Sequence, residues 1–247
     1  MVVQLGGAGC GCSSCGSCGA GCNGDSSSSI RFFCSTGDGL YHYLYSNSNL
    51  DRILGGEYKA FEAYVLHYFA QLRAGGVSLH IVMDGVLEHT KLQTRLERRL
   101  KRAEDMKRLH TLLSVPSNAT NNSNHLINDT SYDFIPIPDL AIECFTQCAH
   151  RSGFVVSRSE GENDDQLAVL AKAEGAAAIL GLDTDYFIFD GPGYIPLDTI
   201  EFDDNGDVYV RRYQATDLAK ELSIPLELLP LFAVSDGVRD MSGSVVR

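Results

Sequence analysis

Strands that alternate with helices predict an α/β domain on a central, mostly parallel sheet covered by helices on both faces. Three observations carry this reading. Short apolar runs recur at 30–34, 79–83, 154–156 and 177–182, bounded by glycine or acidic residues. Between them lie stretches with apolar residues at helical spacing, such as EYKAFEAYVLHYFAQL over 57–72. Near-continuous apolar strands separated by such helices are the pattern of a sheet buried on both faces. At 247 residues and 44% hydrophobic content, the chain is long enough for one domain with a substantial core.

The elements follow in order. Residues 30–34 form a short buried strand, and the helix over 57–72 stops at Gly75-Gly76. The strand 79–83 ends in Asp84-Gly85, and a long charged helix covers 90–113. The Asn/Ser-rich stretch 116–138 reads as a loop, placing a flexible segment over 115–138. A helix over 139–150 and a strand at 154–156 come next, then a helix over 164–174, a strand at 177–182 and a further short strand at 186–189. Asn205-Gly206 between apolar runs at 200–202 and 208–211 is a strong hairpin signal. Two helices close the domain, 216–222 capped by Thr216 and 225–234 opened by Pro225. The expected domain is 30–234, with a disordered Cys/Gly/Ser-rich tail at 1–29 and a short tail at 235–247.

Charge and composition narrow the function. A net charge of −12 argues against broad nonspecific coating of nucleic acid, but leaves room for a local basic patch. No apolar run approaches the ~20 residues that span a bilayer, and the start lacks the regions of a signal peptide, so an intracellular protein is expected. Three N-x-S/T sequons, at Asn118, Asn121 and Asn128, are then loop composition. Five cysteines (Cys10, Cys12, Cys15, Cys18, Cys22) have metal-ligand spacing but sit among Gly, Ser and Ala, which favours a tail over a metal knuckle. Cys144 and Cys148, at i and i+4, read as core residues of an apolar helix.

Two acidic clusters, Glu162/Asp164/Asp165 and Asp183/Asp185, bracket a helix-then-strand pattern in 161–190. Acids at helix starts and strand ends are common as caps. Here Asp84 closes another strand, and ligands of open α/β sheets collect at the carboxyl ends of strands. Converging carboxylates repel, and a hard divalent cation offsets that repulsion. Mg²⁺ takes oxygen ligands from a few carboxylates, water and phosphate. The helix after Asp84 supplies the basic counterpart: eight of the chain's twenty Lys and Arg fall within 91–108. Lys91 and Arg98 are two turns apart on one face, placed to hold a phosphate.

These segments resemble the asteroid proteins, a branch of the flap-endonuclease/XPG-type nucleases in the PIN-like superfamily. The resemblance rests on LYHYLYSNSNLDRILGGEYKAF (40–61), IVMDG (81–85) with Lys91, Thr94 and Arg98, GENDDQLAVLA (161–171), LDTDYFIFDGPGYIPLDTIEF (182–202) and LLPLFAV (228–234). It implies a PIN-like three-layer α/β/α fold with an acidic two-metal centre. Asp84, Glu162, Asp164, Asp183 and Asp185 correspond to its catalytic, metal-holding acids, and Lys91 and Arg98 to its phosphate-side cations. Two positions depart from the pattern. Thr36 stands where the family has its first acid, with Asp38 two residues later as the substitute ligand, and Arg239 stands at the expected last acid, between Asp236 and Asp240. The family's M-G-[IV] start and the helical region that helps relatives grip duplex DNA are also missing, as in a truncated or divergent copy.

The resemblance implies a monomeric, nuclear nuclease with two Mg²⁺ ions, replaceable by Mn²⁺. It would hydrolyse phosphodiesters of structured or single-stranded nucleic acid, DNA ahead of RNA. The competing expectation is a catalytically impaired PIN-like module that binds nucleic acid or a protein, since Thr36 and Arg239 replace acids. A defective fragment is the third.

Overall fold

The computed structural model describes residues 2–5, 31–52, 56–85, 92–114, 135–160, 163–189 and 191–235. Strands β2 (Arg31–Thr36), β3 (Val77–Met83), β4 (Val155–Arg158), β5 (Ile179–Gly181) and β6 (Tyr194–Pro196) form an all-parallel sheet in the order β4-β3-β2-β5-β6. Helices α1 (Gly37–Asn47), α2 (Tyr58–Ala74) and α4 (Ala141–Arg151) cover one face, and α5 (Asn163–Ala173) covers the other. The long α3 (Leu92–Leu113) follows β3. The α/β class read from the sequence is therefore the observed one.

The period-two alternation of a strand splits the core. Phe33, Leu79, Ile81 and Met83 point into the larger cluster under α1, α2 and α4. Cys34 and Val82 point the other way, onto Leu167 and Ala171 of α5. Phe69 binds the larger cluster together, with its ring edge-on to Phe154 at 5.1 Å and 5.8 Å from Phe145. Truncating such a buried phenylalanine to alanine costs about 3–5 kcal/mol.

A smaller antiparallel sheet, β1 (Val2–Leu5), β8 (Val208–Arg211) and β7 (Glu201–Phe202), flanks the domain. The β7–β8 hairpin turns where Asn205-Gly206 predicts, with Gly206 at φ +83°. Helices α6 (Ala215–Glu221) and α7 (Leu229–Ser235) close the described chain.

Four local expectations are corrected. Residues 184–187 form a 3-10 turn, not a strand, because the Asp183 side chain accepts the Asp185 N–H and bends the chain after β5. The sheet's edge strand is instead β6, at Tyr194–Pro196. The residue preceding α6 is Gln214, without a side-chain cap, so Thr216 lies inside the helix. Val2–Leu5, expected in a disordered tail, pairs with β8, which supplies the partner its apolar residues need. Residues 6–29 and 236–247 of the expected tails lie outside the described residues, as do Ile30 of the expected first strand and 115–134 of the expected loop. Among the described residues no helix is long and apolar enough to cross a membrane.

Candidate active site at the carboxyl end of the sheet

In a parallel sheet the turns that follow the strands open at one end. Here that end carries Thr36–Asp38 after β2, Asp84 after β3, the approach to α5 after β4, and Asp183–Asp185 after β5. The strand order reverses at β2: the chain runs outward through β3 and β4, then returns to the far side of β2 as β5. Such a switch point leaves a crevice, here between β2 and β5.

The register sets the spacing of the acids. Thr36 lies opposite Val82, so the first turn of α1 reaches the end of β3. There the Asp84 backbone N–H donates to Asp38 Oδ2 at 2.9 Å. Asp183 leaves β5 on the other side of β2, about two strand spacings (roughly 9–10 Å) from Asp84. Its carboxylate accepts the Asp185 N–H at 3.1 Å, and Asp84, Asp183 and Asp185 are all exposed. Tyr194 anchors this end by donating its hydroxyl to the Gly181 carbonyl at 3.1 Å. Burial raises the Tyr194 pKa, and Asp198 and Asp183 raise it further.

Thr36 sits at the crevice itself, 8% exposed, and its hydroxyl oxygen has no hydrogen-bond partner. It is roofed by Gly39, where a Cβ would come within 2.5 Å of that oxygen, so only glycine lets α1 pack this close. Thr36 thus occupies a tight slot, and Asp38 follows two residues later.

The structure brings Asp38 to Asp84 and puts Asp183 and Asp185 at the same sheet end. Carboxylates repel, and among the described residues these acids do not draw together into one close group; Asp38 and Asp183 each turn to a backbone N–H. Asp164 and Asp165 lie in the first turn of α5, which packs on β2, β3 and β5. Their side chains, and Glu162 and Lys91 as a whole, fall outside the described residues.

Helix α3 exposes Arg95, Arg98, Arg99, Lys101, Arg102, Lys107 and Arg108 to solvent. Arg102 lies one turn beyond Arg98 on this helix. Burial lowers the His42 pKa on α1, Asp38 pulls it up, and Arg102 and Arg52 push it down. Arg102 is one of the eight cations counted over 91–108 but not one of the pair singled out for the phosphate, although it stands at i, i+4 from Arg98.

No family model matches the chain. It is 27% identical over 211 residues to the single-strand DNA endonuclease ASTE1 of Danio rerio, across 80% of this chain and 27% of that protein. In structure it is similar to the catalytic core of Rad2 in complex with DNA substrate (TM-score 0.51, 16% identity, 86% of this chain and 55% of that one). Human GEN1 in complex with Holliday junction DNA gives a TM-score of 0.50 at 16% identity, over 85% of this chain and 45% of that one. The chain therefore spans about a quarter of the curated relative and about half of each solved structure. The asteroid and XPG-type resemblance drawn from the motifs is borne out, and the PIN-like α/β fold with it.

Proposed function

We propose that the chain is the nuclease domain of a Mg²⁺-dependent enzyme that hydrolyses phosphodiester bonds of DNA in single-stranded or branched substrates. The observation that carries this is the contact between Asp38 and the Asp84 N–H at the switch point, with Asp183 and Asp185 across β2. The donors fit the ion: hard carboxylate oxygens, with the buried, unpartnered Thr36 hydroxyl between them, suit Mg²⁺ better than a soft metal. Two ions, roughly 4 Å apart, would take ligands from Asp84 on one side of β2 and Asp183 on the other.

When bound, Mg²⁺ would lower the pKa of a coordinated water and neutralise charge at the leaving oxygen. Asp84, Asp183 and Asp185, with Glu162, Asp164 and Asp38, would hold the ions directly or through water. Lys91, Arg98 and Arg102 would hold the phosphate and offset its charge in the transition state. Similarity to a single-strand DNA endonuclease supports DNA over RNA, and a nuclear place of action goes with that substrate. Mn²⁺, with similar ligand preference, would replace Mg²⁺.

The test is cleavage of labelled single-stranded and flap DNA in Mg²⁺, comparing the chain with Asp185→Asn. Cleavage that needs Mg²⁺ and disappears in the variant supports the proposal; equal cleavage by both overturns it. The second reading, a binding module without catalysis, is favoured by Thr36 in the first acid's place, and is upheld if both proteins bind DNA and neither cuts it.

A further inference from the structure

We infer that Cys34, His80 and Glu174 form a second metal site, selective for a thiophilic transition ion, Zn²⁺ above all, and independent of the oxygen-rich end of the sheet. Cys34 and His80 are register partners on β2 and β3, side by side on the face covered by α5. Glu174 directly follows α5 and reaches back over them. Their ligand atoms all lie within 4.8 Å of one another.

The pairwise geometry is close to a coordination shell. His80 Nδ1 is 2.8 Å from Glu174 Oε2, and Cys34 Sγ is 4.0 Å from the same oxygen. Zinc bond lengths imply separations of roughly 3.3–3.6 Å between tetrahedral ligands. The N···O distance must therefore open, and the S···O distance close, by about half an ångström. His80 Nε2 lies 2.7 Å from Ser157 Oγ, so its far nitrogen is already held, as outer-shell partners hold metal-bound imidazoles.

Charge explains why a divalent ion belongs there. Cys34 and His80 are buried, and the Glu174 side chain is 34% exposed. A thiolate, a carboxylate and a neutral imidazole sum with M²⁺ to zero, which removes the cost of burying net charge. Glu174 is the exposed member of the three, so an ion and a water as fourth ligand would come from its side. Burial, and then Glu174, push the Cys34 thiol up to about 12, so alone it stays protonated and is no nucleophile. Binding would expel that proton to solvent. The clip would tie the centre of the sheet to the end of α5, whose first turn carries Asp164.

The test uses the full chain with Cys10, Cys12, Cys15, Cys18 and Cys22 replaced by Ser, titrated with Co²⁺ and read by absorption. We expect one equivalent to give a thiolate-to-cobalt charge-transfer band that Zn²⁺ displaces and excess Mg²⁺ leaves unchanged. Cys34→Ser should abolish the band. Ser157→Ala should weaken binding about 10- to 100-fold, and so should Glu174→Gln, which alters a partly exposed side chain and is the decisive variant if Cys34→Ser does not fold. No band, a band that Mg²⁺ removes, or a band undiminished in Glu174→Gln overturns the site.

Discussion

The Asp84 backbone N–H donates to Asp38 Oδ2 at 2.9 Å, joining the end of β3 to the first turn of α1. The contact holds a carboxylate two residues beyond Thr36, and so keeps a negative charge at the crevice where the sequence lacks its expected acid. It also gives Asp38 two separable jobs: accepting a backbone hydrogen bond and supplying charge.

Substitution at Asp38 separates them. Asparagine keeps an acceptor for the Asp84 N–H and loses the charge, whereas alanine loses both. Asp38→Asn should lower Mg²⁺-dependent DNA cleavage about 10- to 100-fold with little change in Tm. Asp38→Ala should show the same loss plus about 1 kcal/mol of destabilisation. Steady-state cleavage and chemical denaturation check both, and full activity in the Asn variant would remove Asp38 from the site.

Thr36 carries a second prediction. A buried hydroxyl without a partner costs about 1–3 kcal/mol, and Thr36 Oγ1 is one. Thr36→Val keeps the shape and removes the hydroxyl, so stability should rise by about 1 kcal/mol in urea melts. Thr36→Asp puts a carboxylate in the same slot. Its Tm should fall in chelator and recover with Mg²⁺ by more than the wild type's. A melting temperature indifferent to Mg²⁺ would show that this slot does not reach the ion.

What the sequence revealed depended on whether the signal was local. β3 and its terminal Asp84 were legible because an apolar run ends abruptly in an acid, and the β7–β8 hairpin because Asn205-Gly206 demands one turn type. The aromatic run 186–189 misled, since its β-forming residues gave no hint that the Asp183 cap turns the chain; Tyr186 instead stacks on Tyr194 at 5.7 Å. β1 was hidden because its partner β8 lies at the other end of the chain. Helix α1, rich in Gly and Tyr, has weak intrinsic helix propensity and is held by burial of Leu40, Tyr41, Leu44 and Tyr45. Of the candidate acids, Asp84 and Asp183 were legible as residues that follow strands, because each closes an apolar run. The Cys34–His80–Glu174 cluster was not, because its members meet across 140 and 94 residues of sequence.

The exposed face of α3 predicts a phosphate contact that does not read sequence. Arg98→Ala and Arg102→Ala should each weaken single-stranded DNA binding by a similar factor on unrelated sequences. Each should also reduce the slope of log K against log salt by about 0.7. Fluorescence anisotropy over a salt series measures this. A slope unchanged in both variants would mean that these arginines are solvated surface and that another element holds the strand.

The buried thiols predict how the fold fails in alkali. Burial raises Cys34 and Cys148 from 9.0 to about 12, helped by Glu174 in the first case and by Cys144 in the second. Above about pH 9 the unfolded chain gives up thiol protons that the folded chain keeps, so protonation favours the fold. Their stabilisation is complete below that pH and falls as pH rises toward 12, by at most about 1.4 kcal/mol per pH unit for each thiol. Urea melts from about pH 8 to about pH 11 should show this decline, and Cys148→Ala should make it shallower. Iodoacetamide at about pH 8 should leave both thiols unlabelled until denaturant is added, since a protonated, buried thiol does not attack. Rapid labelling of Cys34 or Cys148 in the folded protein, or stability that does not fall above about pH 9, would show that these side chains are not enclosed as the two core clusters require.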